Sequence, residues 1–215
     1  SLASTPLPSW PALAVLVSTA GADAAPEFVW EVILRRLDPE HLEALALVVR
    51  LGQIDDALVV AAAGPRWTAA RLVAGLPLVE TVGASRRFHD LWRTALADVV
   101  PPGQWREALV RAAAVLERRG ELLRAIACCR DAGADDRIVA IARAFAVSPI
   151  SAGLSREVAG VLEETLPPEQ QRGALGLYLR SLRRGSFESA QVHVDMDEVR
   201  DAALASGDAH LASLA

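Results

Sequence analysis

The chain contains no lysine, and all 22 of its basic residues are arginine. This absence excludes three chemistries of a lysine amine: a Schiff base, a P-loop phosphate contact and a lysine general base. Other catalytic patterns are absent as well, since the sequence has no GxSxG, HExxH or Rossmann glycine pattern. We therefore expect no catalytic residue in this chain and no enzyme activity of its own.

Cysteine is scarce, and the residue types that can bind metals do not occur at the spacing of a metal site. Cys128 and Cys129 are adjacent, so they cannot build a disulfide framework, and they match no metal-binding spacing. The run from His193 to Asp197 lacks the glycine and the distal glutamate of a calcium loop. We predict no metal site and no cofactor in this chain alone. Both cysteines are expected in the core, and the acidic run on a solvated face.

No apolar stretch reaches the roughly 20 residues that a membrane-spanning helix needs. The apolar segment 12–17 is short and lacks a charged flank, so it does not have the features of a signal peptide. Together with the low cysteine content, these absences predict a cytoplasmic protein that contacts no membrane. The chain begins with Ser1 rather than methionine, which we interpret as a fragment of a longer protein.

The chain is rich in apolar residues that favour helix. Hydrophobic residues make up 52% of the sequence and charged residues 23%, which is enough apolar material for a core. Aromatic residues contribute only 5%, and much of the rest is alanine, leucine and valine. Because alanine and leucine are strong helix formers, the composition predicts a mainly α-helical fold. The net charge of −5 disfavours binding to nucleic acid.

The first 100 residues predict short helices and one β-hairpin. Asp38 and Pro39 indicate a helix start, because an aspartate cap and a proline in the first turn both suit a helix N-terminus. Segments 76–82 and 86–88 are typical of two strands around a turn at 83–85. The predicted helices cover 8–20, 26–37, 38–51, 55–63 and 65–74, and another begins at Asp90.

The second half alternates between helix and turn, after a break at residues 101–103. Helices are predicted at 104–119, 121–132, 135–146, 155–166, 167–183, 186–205 and 208–214. One segment has the large, small and turn positions of a tetratricopeptide unit of about 34 residues. An ordinary α-hairpin in an alanine-rich chain is the alternative. The matching positions are Leu109, Ala112, Ala113, Leu116, Gly120, Ala125, Cys129 and Ala132.

The residues that follow the predicted hairpin are Phe88-His89-Asp90-Leu91-Trp92. In this position they resemble the STAND class of signalling ATPases. That class includes the maltose-regulator-like large LuxR-type transcriptional regulators of bacteria and the nucleotide-binding leucine-rich immune receptors. The receptors carry a Met-His-Asp motif after the wing of a winged-helix domain. The regulators have an aromatic-His pair before a Leu-aromatic pair.

The resemblance implies a mainly α fold with three parts. Residues 1–24 would end a preceding helical domain, because Trp10-Pro11-Ala12 is similar to a Gly-Trp-Pro-Ala segment of the family, with Ser9 in place of the glycine. Residues 25–100 would form the winged-helix domain with its short β-hairpin. Residues 101–215 would form a tetratricopeptide-like helical repeat domain.

The resemblance also implies a role for His89. In the family, the histidine after the wing contacts the β-phosphate of bound ADP and holds the resting state. ATP or ADP would bind only in the full-length protein, because this chain has no P-loop. The implied partners are the protein's own nucleotide-binding domain and an effector, small molecule or protein, on the helical array.

Two other functions fit the sequence. The chain could be a stand-alone helical-repeat adaptor for protein partners, in which His89 only packs and bonds the backbone. It could also be a winged-helix DNA-binding regulator, with a recognition helix at 65–74. That helix offers only Arg66 and Arg71, and Arg86 and Arg87 lie on the hairpin. The first 100 residues carry 8 arginines against 11 acids, so we expect no direct nucleic-acid binding.

Overall fold

The computed structural model describes residues 34–147, 152–184 and 190–215. The helix predicted at 8–20 and most of that predicted at 26–37 lie outside these residues. The chain divides into two compact units, of which the first ends at Arg111 and the second begins at Ala112. The division into 1–24, 25–100 and 101–215 stays a prediction.

The first helices begin where the sequence provides a cap. Helix α1 (Pro39–Val48) follows Asp38, whose Oδ1 accepts a hydrogen bond from the His41 N–H at 2.8 Å. A 3-10 turn continues it to Gly52, where a φ of 69° suits a residue without Cβ. Helix α2 (Asp56–Ala63) is capped by Asp55 in the same way. The predicted starts of both helices are confirmed.

The helix predicted at 65–74 is wrong in its extent. The structure has a turn at Pro65, and helix α3 is confined to Ala69–Leu72. Thr68 caps this helix by accepting from the Arg71 N–H at 3.2 Å, and the Ala69 N–H donates to Asp56 at 2.7 Å. These two side-chain acceptors set the helix start at Ala69, four residues beyond the proline.

The predicted hairpin is confirmed and belongs to a three-stranded antiparallel sheet. Strands β1 (Gln53–Ile54), β2 (Val79–Val82) and β3 (Ser85–Phe88) lie in the order β1-β3-β2. The hairpin turn has two residues, and Gly83 in it has a φ of 59°, as such tight turns require. The sequence did not predict β1, because two residues are too few to show an alternating pattern.

The core of the first unit lies between this sheet and its helices. Helix α4 (Leu91–Ala95) follows β3, and α5 (Pro102–Arg118) begins at the predicted break. Arg111 of α5 donates from Nε and Nη2 to the carbonyls of Ala61 and Ala62, at 2.7 and 2.9 Å. It thereby satisfies carbonyls at the end of α2 that have no partner within the helix. In this unit the largest fully buried side chains are Trp92, Leu34, Leu45, Ile54, Leu58, Leu72, Leu96 and Leu109.

The second unit is helical throughout its described residues. Helix α6 packs against α7 and α8, α8 against α10, and α10 against α11. Gly133 ends α6 in the left-handed conformation typical of glycine after a helix. The helices are α6 (Leu122–Ala132), α7 (Asp135–Val147), α8 (Ala152–Thr165), α9 (Pro168–Arg172), α10 (Ala174–Arg184), α11 (Ala190–Ser206) and α12 (Ala209–Leu214).

The structure has two short helices where the sequence predicted one. The single helix predicted at 167–183 is wrong, because the chain breaks at Gly173 between α9 and α10. A Cβ on Gly176 would lie 2.1 Å from the carbonyl oxygen of Gln171, so the two segments approach too closely for any side chain there. The helix predicted at 186–205 corresponds to α11, and it includes residues 192–196, whose apolar residues alternate as in a strand.

The positions that match a tetratricopeptide unit are nearly all inside the protein. Gly120 lies in the turn between α5 and α6 with a φ of 75°. This burial fits close helix packing by small residues, while the repeat class itself stays a prediction. The buried positions are Leu109, Ala112, Ala113, Leu116, Ala125, Cys129 and Ala132.

Candidate functional site

His89 lies between the last strand of the hairpin and helix α4, and it is exposed. Its backbone N–H donates to the carbonyl of Leu78 at 3.1 Å. Its carbonyl accepts from the N–H of Trp92 at 3.0 Å. The backbone of this residue is therefore tied to both the hairpin and the helix.

The His89 ring uses one nitrogen internally. Nδ1 accepts a hydrogen bond from the backbone N–H of Leu91 at 3.3 Å. An accepting Nδ1 requires that the neutral ring carry its proton on Nε2. Within the described part of the chain, no group accepts from Nε2. The site therefore offers one exposed N–H donor, which suits an anionic oxygen.

Trp92 fixes the segment behind the histidine. Its side chain is completely buried, and Nε1 donates to the carbonyl of Pro77 at 3.1 Å. The next residue, Leu78, has a φ of 59° and is the one non-glycine residue with a positive φ among those described. Phe88 is also buried, and its N–H donates to the Gly52 carbonyl at 2.8 Å. The sequence did not predict this bend, because no local pattern marks it.

The other histidines do not join this site. Nε2 of His41 lies 2.7 Å from the Leu72 carbonyl, and its ring packs 5.0 Å from Trp67. His210 belongs to the second unit, and the side chain of His193 lies outside the described residues. The described ranges contain no group of three or more His, Cys, Asp or Glu side chains that could hold a metal ion.

Both cysteines are buried, as predicted. Burial raises the pKa of Cys128 to about 11, and the neighbouring Cys129 adds to the shift. Burial also raises the pKa of Cys129. Since the thiolate is the reactive form, neither side chain is set up as a nucleophile.

The arginines of the candidate recognition helix make contacts inside the protein. Nη1 of Arg66 bonds Glu40 at 2.7 Å, and its guanidinium lies 5.6 Å from the ring of Trp67. Arg71 lies 5.0 Å from the same ring. On the hairpin, Nη1 of Arg86 donates to the carbonyl of the preceding residue at 3.1 Å. Of these contacts, the ion pair with Glu40 offsets part of the positive charge on which the DNA-binding alternative depends.

The second unit contains an open groove of about 640 Å³ that the sequence did not reveal. An ion pair between Arg143 and Asp208, 2.5 Å apart, lies on its wall. The hydrogen bond from Arg143 lowers the pKa of Asp208, and the Leu211 N–H, which also donates to it, lowers it further. The sequence predicted that a helix begins at Asp208. It did not predict the ion pair, because Arg143 lies 65 positions away in sequence. Glu169, Gln170, Ser206 and His210 are other polar residues around the groove.

Comparisons with models of protein families, with curated proteins and with solved structures found no match to this chain. Within the described residues, no helix has the length and apolarity to cross a bilayer.

Proposed function

We propose that this chain is a regulatory and interaction region of a bacterial STAND-type transcriptional regulator. In this proposal the first unit contains a winged-helix domain that keeps the ATPase core in its resting state. The helical second unit senses an effector, either a small molecule or a protein. The chain itself carries no catalytic residue, and ATP or ADP binds in the core of the full-length protein.

The observation that carries the proposal is the exposed donor on His89. The residue follows a β-hairpin and precedes a short helix, with Nδ1 occupied by the Leu91 N–H. Nε2–H is then available to a phosphoryl oxygen, which accepts strong hydrogen bonds because it is charged.

Mutation of His89 in the protein encoded by the complete reading frame tests the proposal. Loss of a hydrogen bond to a charged group costs about 1.5–3 kcal/mol, so His89→Ala should weaken ADP retention about 10- to 100-fold. His89→Gln keeps an N–H donor and should lose less. The measurement is the amount of ADP that remains bound after purification, together with the ADP dissociation rate.

His210→Ala is the matched control, because this histidine is also exposed but belongs to the second unit. It should leave ADP retention unchanged. Equal retention in His89→Ala and the parent protein would refute the sensor role. Micromolar ADP binding by the present chain alone, measured by calorimetry, would contradict the placement of the nucleotide site in an absent core.

The groove in the second unit favours one alternative, a helical-repeat adaptor for other proteins. Its volume of about 640 Å³ lies within the range of clefts that hold a small ligand or a peptide side chain. The reading frame on either side of the chain separates the two functions. A P-loop ATPase core upstream supports the regulator, and a complete gene without such a core supports the adaptor.

A further inference from the structure

The bend at Pro77–Leu78 is an energetically unfavourable conformation. Leu78 has a φ of 59°, in the left-handed region where the Cβ of an L-residue crowds its own backbone. Such conformations persist only where the surrounding structure holds them, and they cluster at functional sites. A leucine in this conformation therefore needs an explanation in the contacts around it.

Two hydrogen bonds hold the bend, and both lead to the His89 segment. Trp92 donates from Nε1 to the Pro77 carbonyl at 3.1 Å. The Leu78 carbonyl accepts from the His89 N–H at the same distance, 3.1 Å. Because the Trp92 side chain is completely buried, it provides a fixed support for this bend.

We propose that Trp92 and the Leu78 bend are positioning elements for the His89 ring. They fix the backbone of His89 so that its Nδ1 meets the Leu91 N–H, and the neutral ring keeps its proton on Nε2. The result is an N–H donor that is already oriented before an anionic oxygen arrives. The link to nucleotide sensing rests on the proposed function, whereas the tautomer itself is a property of this chain.

The proposal predicts how the ring responds when the support is lost. Without the Trp92 hydrogen bond, Leu78 is free to return to a negative φ, which moves its carbonyl away from the His89 N–H. The His89 backbone then gains freedom, and the bond from Leu91 to Nδ1 weakens. The neutral ring should then populate both tautomers instead of one.

Nitrogen-15 NMR of the histidine rings in this chain tests the idea, since bare and protonated ring nitrogens resonate at different frequencies. The parent chain should show His89 with a bare Nδ1 and a protonated Nε2. Trp92→Phe should move both resonances toward the average of the two tautomers. Trp67→Phe is the matched control, because Trp67 is only 5% exposed and its Nε1 has no partner among the described residues.

A second substitution separates positioning from simple packing. Glycine adopts a positive φ without steric cost, so Leu78→Gly should lower the energy of the bend and make it depend less on Trp92. The double variant Trp92→Phe, Leu78→Gly should therefore recover the parent tautomer. If Trp92 acted only by filling the core, a glycine at Leu78 would not restore the resonances.

Leu78→Val provides an independent test if Trp92→Phe fails to fold. Valine keeps apolar packing, but its branched Cβ tolerates a positive φ poorly, so the tautomers should mix here as well. The proposal is overturned if His89 keeps one tautomer in both Trp92→Phe and Leu78→Val. It is also overturned if Trp67→Phe shifts the His89 resonances as strongly as Trp92→Phe.

ADP retention by the full-length protein distinguishes this proposal from the proposed function. If Trp92→Phe mixes the tautomers and retention falls severalfold, both hold. If the tautomers mix while even His89→Ala retains ADP, the positioning holds and the sensor role fails. If the tautomer is unchanged while His89→Ala loses ADP, the sensor role holds and the positioning fails.

Discussion

Gly176 of α10 lies against the backbone of the preceding segment, so we expect its replacement by alanine to destabilise the protein rather than stabilise it. A Cβ there would lie 2.1 Å from the Gln171 carbonyl oxygen, which belongs to the backbone and cannot rotate away. Glycine to alanine inside a helix normally stabilises by about 1 kcal/mol. We expect Gly176→Ala instead to lower the free energy of unfolding by about 1–3 kcal/mol, as overpacking does. Urea denaturation followed by circular dichroism measures the change.

Gly160 provides the matched control for this prediction. It also lies inside a helix, α8, but an added Cβ would meet only the Arg183 side chain at 3.6 Å, which is an ordinary contact. Gly160→Ala should be neutral or stabilising by up to about 1 kcal/mol. Equal effects at the two positions would show that the close approach at Gly176 does not limit stability.

Single residues were partly predictable from the sequence. The place of His89 between a strand and a helix and the burial of both cysteines were predicted correctly, because local patterns of strand and apolar helix face decide them. The contacts of His89 were not predictable, because the Pro77–Leu78 bend depends on a buried tryptophan fifteen positions away. The groove in the second unit was missed for the same reason, since Arg143 and Asp208 meet only after folding.

At the scale of elements, the start of α12 predicts a dependence of stability on pH. Asp208 caps this helix and pairs with Arg143, whose hydrogen bond holds the pKa of the carboxyl below its usual value. A carboxyl with a lowered folded-state pKa stabilises the protein above its unfolded pKa of about 3.9. This stabilisation is lost as the pH falls through the lower folded-state value.

Asp208→Asn isolates this contribution. Asparagine still caps the helix but loses the ion pair, so we expect a loss of about 1 kcal/mol at pH 7, because Arg143 is half exposed. The difference between variant and parent should shrink as the pH is lowered from 5 towards 2. Asp38→Asn, which changes the cap of α1 without a known ion pair among the described residues, is the control. A difference that stays constant from pH 7 to 2 would contradict the assignment.

Helix boundaries were the most predictable elements, because caps and glycine stops are local. Asp38 and Asp55 set the starts of α1 and α2, and Gly120 and Gly133 follow α5 and α6, as their sequence patterns indicate. The failures have non-local causes. Strand β1 forms only because β3 offers it a partner, and α3 starts late because Asp56 accepts from its first N–H.

For the whole molecule, the charge distribution predicts no DNA binding. The net charge is −5, and the arginines nearest the candidate recognition helix contact Trp67 and Glu40. Affinity for duplex DNA depends mainly on positive charge that neutralises phosphates. We expect no mobility shift of duplex DNA at low micromolar protein and low salt. A shift that disappears as salt is added would instead support the winged-helix DNA-binding alternative.

The mainly helical character of the molecule followed from composition, since alanine and leucine dominate the apolar residues. The boundary between the two units, at Arg111 and Ala112, could not be predicted from the composition. The break predicted at residues 101–103 coincides with the start of α5. A proline pair marks the start of a helix as well as the end of a domain. Sequence alone does not distinguish these two uses.

The rate at which the two adjacent thiols are modified can report how often the second unit opens. Cys128 and Cys129 are covered in the folded state, and burial keeps both protonated near neutral pH. A thiol reagent such as a chromogenic disulfide can then react with the two cysteines only when this region opens. Their modification rate would report the frequency of opening without any added label, and under the proposed function a bound effector should slow it.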